Sequence, residues 1–177
     1  LGTIAGASVS TDLEGRFNLQ VPPSTGYQLS AIPDDGQPLP FYIETNANVS
    51  EQSDLGVIDL GYGSPIYGRV VDHTDHGVEG ASIRLVDTET GLQGNQILSD
   101  ENGHFIARAH PGEYKLVVSG VTGSAIPTVH NIVTVEEDQG TEVNVSVGKL
   151  QTASVYGQVF GEGMSTPHRD VLVRFSS

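Results

Sequence analysis

The chain has 177 residues, a formal net charge of −14 and no cysteine, and 37% of it is hydrophobic. That negative field argues against nucleic acid and anionic membrane surfaces as partners, and the lack of cysteine excludes disulfides, thiolate metal sites and cysteine nucleophiles. The 22 glycines and 9 prolines leave little room for long helices and suit short strands joined by tight turns.

No stretch approaches the roughly 18 apolar residues of a membrane helix. Lys115 and Lys149 are the only lysines, and an acidic, lysine-poor surface fits an extracellular or cell-surface setting, the periplasm included. Leu1 reads as the start of a fragment or of a processed product.

Taken in chain order, the sequence repeats itself. Ser10-Thr11-Asp12-Leu13-Glu14-Gly15-Arg16-Phe17 returns as Leu98-Ser99-Asp100-Glu101-Asn102-Gly103-His104-Phe105, with Asp12 and Asp100 88 positions apart. Gly26-Tyr27-Gln28-Leu29 returns as Glu113-Tyr114-Lys115-Leu116, and Val57-Ile58-Asp59-Leu60-Gly61 as Asn144-Val145-Ser146-Val147-Gly148, both 87 positions on. Further along, Ile66-Tyr67-Gly68-Arg69-Val70-Val71 returns as Val155-Tyr156-Gly157-Gln158-Val159-Phe160, and Ala81-Ser82-Ile83-Arg84-Leu85 as Val171-Leu172-Val173-Arg174-Phe175. These blocks predict three parts: the C-terminal part of a first unit over 1–64, a complete unit over 65–150, and the N-terminal strands of a third over 151–177, with a period of about 88 residues.

Within the middle unit apolar residues fall on alternate positions: Ala81, Ile83 and Leu85; Phe105, Ala107 and Ala109; Tyr114, Leu116 and Val118; Val143, Val145 and Val147. Period two puts one set of side chains into a core and the other into water. Turn formers separate the runs, at Asp75-His76-Gly77, Glu89-Thr90-Gly91, Asp100 to Gly103, Pro111-Gly112 and Asp138-Gln139-Gly140. About seven short strands so spaced predict an all-β, two-sheet sandwich.

The order of Ile66 to Asp72, Gly77 to Ile83, Ser99 to Phe105 and Pro111 to Leu116 resembles the carboxypeptidase regulatory-like domain. That resemblance implies tandem transthyretin-like (prealbumin-like), Ig-like β-sandwich repeats, close to the Cna B-type modules of surface proteins. It implies accessory and spacer roles rather than one function. Cna B-type modules often carry an internal isopeptide bond from a first-strand lysine. Here that strand has Arg69, and Val117 or Val118 stands where the acid is usual, so no such bond is expected in the middle unit.

Candidate sites are few. Asp72, His73, Asp75 and His76 put two carboxylates and two imidazoles within five residues, a set a transition metal could use. The third unit does not repeat them, which favours a solvated hairpin turn. The Asp12 to Gly15 and Asp100 to Gly103 turns lack the further oxygens of a calcium loop and read as Asp-capped turns. Phe41, Tyr42 and Tyr62 are the candidates for an exposed, carbohydrate-binding platform. Tyr27, Tyr67, Tyr114 and Tyr156 recur at equivalent strand positions, which predicts packing roles for them. No nucleophile elbow, paired catalytic carboxylates or phosphate-binding loop is present, so no catalytic residue and no cofactor is expected. The expected function is structural and non-enzymatic: a stalk or fibre whose partners are neighbouring repeats or copies of the chain, its partial units being either a window on a longer array, the reading that arrays favour, or units completed by strand donation between copies. The alternative is an accessory module for carbohydrate or another surface protein, attached to a secreted enzyme, a receptor or an usher.

Overall fold

The structure is a computed structural model that describes residues 6–51, 53–120, 126–148, 156–161, 167 and 173. Its elements are all strands: β1 Ser24–Ala31, β2 Tyr42–Val49, β3 Ser64–Val71, β4 Ala81–Asp87, β5 Ile97–Leu98, β6 His104–Ala109, β7 Gly112–Gly120, β8 Val129–Val135, β9 Thr141–Glu142 and β10 Val145–Ser146. No helix among the described residues is long and apolar enough to cross a membrane.

Strands β3 to β10 form a two-sheet sandwich. One sheet has the order β10–β3–β6, with β9 also alongside β3, and the other has the order β5–β4–β7–β8. The alternating residues of the middle unit supply the core. Ile66, Val70, Leu116 and Val118 are completely buried, and Ile83, Leu85, Phe105, Ala107 and Val145 pack with them. Their burial removes apolar area from water on both inner faces, which is what holds two sheets together.

The expected strand Val143 to Val147 is broken. Ile66 and Tyr67 pair in parallel with Thr141 and Glu142, and Val70 and Val71 with Val145 and Ser146. Across the gap the Asn144 side chain stands in for a backbone acceptor: Arg69 N–H donates to Asn144 Oδ1 at 3.0 Å, while Asn144 Nδ2 donates to Glu142 Oε1 at 3.2 Å.

Ahead of the sandwich, β1 and β2 form a two-stranded antiparallel sheet. Over three pairs its register follows that of β7 and β8: Leu29, Ser30 and Ala31 oppose Glu44, Ile43 and Tyr42, as Leu116, Val117 and Val118 oppose Asn131, His130 and Val129; a bulge then sets Tyr27 opposite Ala47, one residue out of step with Tyr114 and Val133. Other parts of the first and third units differ from expectation. Phe17 is 38% exposed where Phe105 is 3% exposed, and Ile58 and Leu60 are only half-buried where Val145 and Val147 are buried. Phe105 is held because β6 pairs with β3 along its length; no strand among the described residues does this for Phe17. The expected strand ending at Phe160 shows only a single bridge from Phe160 to Pro167 over its described residues. The expected strand at 171–175 lies outside the described residues, Val173 excepted.

Candidate functional site

Three places carry polar and aromatic side chains in defined arrangements: the Asp72 turn, the outer face of the β3 sheet, and a cleft at one end of β4.

The Asp72 turn is built by its own backbone. Asp72 Oδ1 accepts from Thr74 N–H at 2.8 Å, Thr74 Oγ1 at 2.7 Å and His76 N–H at 3.0 Å. With the hydroxyl hydrogen spent on the carboxylate, the 2.8 Å contact between Thr74 Oγ1 and His76 Nδ1 places a proton on Nδ1. The hydrogen bonds from Thr74, then the backbone of His76 and its charge, hold the Asp72 carboxyl down at about 2. No group of three or more metal-ligating side chains converges among the described residues, so Asp72, His73, Asp75 and His76 are not brought together as a donor set. The turn occupies Asp72 Oδ1 with three hydrogen bonds of its own.

The same turn occurs twice more. Asp12 Oδ1 accepts from the N–H groups of Glu14 and Arg16 at 3.0 and 2.8 Å. Asp100 Oδ1 accepts from those of Asn102 and His104 at 2.9 and 2.8 Å. The His104 backbone bond is the main reason the Asp100 carboxyl also lies below its ordinary value. In all three turns the fourth residue has positive φ: Gly15 at 74°, Gly103 at 81° and Asp75 at 65°. The Asp72 turn escaped the sequence pattern because an aspartate holds the glycine position.

The aromatic candidates separate. Phe41 is 6% exposed and belongs to the sandwich core, so it is not a surface platform. Tyr42 is half-buried and donates to Glu44 Oε2 at 3.2 Å; partial desolvation and then the Glu44 carboxylate raise its hydroxyl pKa. Tyr62 is 84% exposed. Among the recurring tyrosines, Tyr114 is buried, and that burial raises its hydroxyl pKa, with the Asp87 charge adding to it. Tyr67 and Tyr156 are 42% and 90% exposed, which corrects the packing role expected for them.

Tyr67 lies on the outer face of its sheet because it alternates with the buried Ile66 on β3. With Arg69, His104, Ile106, Glu142 and Asn144 it lines an open groove of about 460 Å³. The aromatic edge, the apolar Ile106 and the flanking hydrogen-bonding groups give the groove a mixed character.

The third place was not anticipated. Residues 34–41 lie over a cleft formed by Ile83, Leu85, Gly94, Asn95, Ile97 and Ala107. Phe41 sits edge-on to Tyr114 with ring centroids 5.9 Å apart. Gly94 makes the room, since a Cβ there would stand 2.5 Å from Phe41 Cδ1. Gln96 N–H donates to Asp35 Oδ1 at 2.6 Å, and Gly36 N–H donates to Gln96 O at 2.6 Å. Asn95 Nδ2 donates to the carbonyls of Asp34 and Gln37 at 3.1 and 2.6 Å. Arg84 donates to Gly94 O and Gln96 Oε1 and stands 3.6 Å from Asp35 Oδ2. Sequence periodicity misses the cleft because its two sides come from residues about 60 positions apart, as the 61-residue separation of Asn95 and Asp34 illustrates.

Residues 65–148, which comprise the sandwich from β3 onward, match the carboxypeptidase regulatory-like domain family. The match covers a little under half of the chain. Phe41 reaches the core of the matched residues from outside them. No curated protein matches the sequence.

Solved structures similar to the chain include a Klebsiella pneumoniae 5-hydroxyisourate hydrolase, at 16% identity and a TM-score of 0.37, over 52% of this chain and 94% of that one. A streptococcal ancillary pilin is similar at 16% identity and a TM-score of 0.42, over 74% of this chain and 46% of the pilin. A 3-chlorocatechol 1,2-dioxygenase from Rhodococcus opacus is similar at 13% identity and a TM-score of 0.41, over 81% of this chain and 73% of that one.

Proposed function

We propose that the chain is a non-enzymatic structural segment, a stalk or fibre of tandem regulatory-like sandwiches on a secreted or cell-surface protein. The observation that carries this reading is the repeated hairpin. Over three residue pairs β1 and β2 keep the register of β7 and β8 at an 87-residue displacement, before a bulge shifts it by one at Tyr27, and the Asp12 turn has the hydrogen bonds of the Asp100 turn. Local geometry recurring at the sequence period is what an array of like units produces. The first and third parts, 1–64 and 151–177, are then portions of neighbouring units.

The free edge of β1 supports the strand-donating form of the proposal. β7 is paired along its other edge by β4, while β1 has only β2 among the described residues. A β4-like strand from an adjoining unit or a copy of the chain would satisfy that edge. The test is the mass and peptide map of the protein isolated from its source. A chain much larger than 18.7 kDa with further copies of the turn and hairpin patterns is expected, or an 18.7 kDa chain that forms filaments. A monomer of 18.7 kDa would overturn both forms.

A second reading, an accessory carbohydrate-binding module, draws on the outer-face groove at Tyr67 and on exposed Tyr62. Aromatic surface beside fixed hydrogen-bonding groups is suited to sugar rings. Glycan-array binding lost in Tyr67→Ala or Tyr62→Ala would favour it, and failure across all glycans would remove it.

A further inference from the structure

The cleft at the end of β4 belongs to the regulatory-like domain, but what fills it does not. Arg84, Gly94, Asn95 and Gln96 lie inside the matched residues 65–148, and the occupant, residues 34–41, lies outside them. We infer that this cleft is a recognition site for an acidic, proline-rich segment ending in an aromatic residue. Asp34 to Phe41 occupies it within the chain and thereby helps fix how the β1–β2 hairpin sits on the sandwich.

The chemistry of the two sides is complementary at each step. Asp35 Oδ1 accepts a charge-assisted hydrogen bond from the Gln96 N–H at 2.6 Å, while its Oδ2 stands 3.6 Å from the Arg84 guanidinium as an ion pair at the surface. Asn95 spans the turn by donating to two carbonyls of the same segment, which reads its backbone shape rather than its side chains. Pro38 and Pro40 hold the approach extended, and Pro40 is fully buried. Phe41 then fills an apolar hole that no other side chain fills: with it in place only about 10 Å³ remains free, too little for more than one water. Polar contacts that set orientation, followed by one buried aromatic anchor, are the division of labour seen where a peptide is bound with selectivity.

A second feature sets this contact apart from ordinary packing. The middle unit folds its own equivalent hairpin, β7–β8, into the sheet through β4. The β1–β2 hairpin has no such strand partner among the described residues and is anchored instead through the segment that joins its two strands. Ile43 of β2 also packs against the sandwich core, so this anchorage and Ile43 together set the hairpin's orientation. This conclusion rests on the cleft and does not need the array reading.

The test uses the full chain. A fluorescent peptide of residues 32–42 is titrated into wild type and into Asp35→Ala/Phe41→Ala, in which the chain's own segment has lost its carboxylate and its aromatic anchor. The peptide is expected to bind the variant at least about tenfold more tightly than wild type, and Asn95→Ala added to the variant should weaken it. A folded variant that does not bind, or equal binding to wild type, would overturn the inference. Should the double variant fail to fold, Asp35→Ala alone decides by amide exchange. Gly36 should exchange about tenfold faster or more, with the β4 and β7 amides unchanged. Exchange at Gly36 that does not change would equally overturn it.

Discussion

Replacing Phe41 with alanine tests whether the core of the regulatory-like domain extends beyond the domain's own residues. The ring is 6% exposed, touches Tyr114 edge-on at 5.9 Å and leaves about 10 Å³ free beneath it. Truncating a buried phenylalanine costs about 3–5 kcal/mol in transfer and cavity terms, and an edge-on aromatic pair contributes about 1 kcal/mol of that. The cleft lies beside the edge strand β5, where water can enter it once the ring is gone, which puts the expected loss at the low end, about 3 kcal/mol. For a domain of this size that lowers the melting temperature by about 10 °C or more. The assay is urea denaturation with Tyr62→Ala as control, since Tyr62 is 84% exposed and should stay within about 0.5 kcal/mol of wild type. A loss below about 1 kcal/mol for Phe41→Ala, or one no larger than that of the control, would refute the assignment of Phe41 to the core.

Other substitutions probe the turns and the broken strand. Asp75→Gly should stabilise by about 0.5–1 kcal/mol in thermal unfolding, because Asp75 holds a φ of 65° that glycine adopts freely. Asn144→Ala leaves the Arg69 N–H without its side-chain acceptor and should cost about 1–2 kcal/mol in denaturation, with Asn144→Asp recovering part of it. The Asp72 and Asp100 carboxyls both lie below their ordinary values in the folded chain. Their stabilising contributions are therefore complete above the ordinary carboxylate range and are lost as pH falls, for Asp72 toward about 2. Carboxyl chemical shifts followed by NMR should show Asp72 titrating near that value, and acid unfolding of Asp72→Ala should depend less steeply on pH than that of wild type.

What the sequence makes legible follows from the range of the interactions involved. Alternation along β4, β6 and β7 marks the buried positions correctly, because a strand held in a sheet and packed on one face imposes period two on its own residues. The Asp12 and Asp100 turns are legible because one side chain and one glycine within five residues build each of them. Phe17 carries the same local pattern as Phe105, yet it stays exposed without a neighbouring strand, since burial is a property of partners and not of pattern. Phe41 fails the other way: nothing local distinguishes it from Tyr42, and only the gap left by Gly94 takes it into the core. The break at Asn144 was hidden because Val143, Val145 and Val147 keep their alternation across it.

The parallel pairing of β3 with β9 and β10 also bears on how the domain carries load. The chain enters the domain at Ser64 and leaves past Ser146, which lies beside Val71 at the far end of β3. Tension on the two ends therefore pulls neighbouring strands past one another along their length. The bonds from Val143 to Tyr67 and from Val147 to Val71, together with the Asn144 bridge, share that tension and must fail together rather than in turn. A domain threaded in this way resists stretching along the direction in which its chain runs.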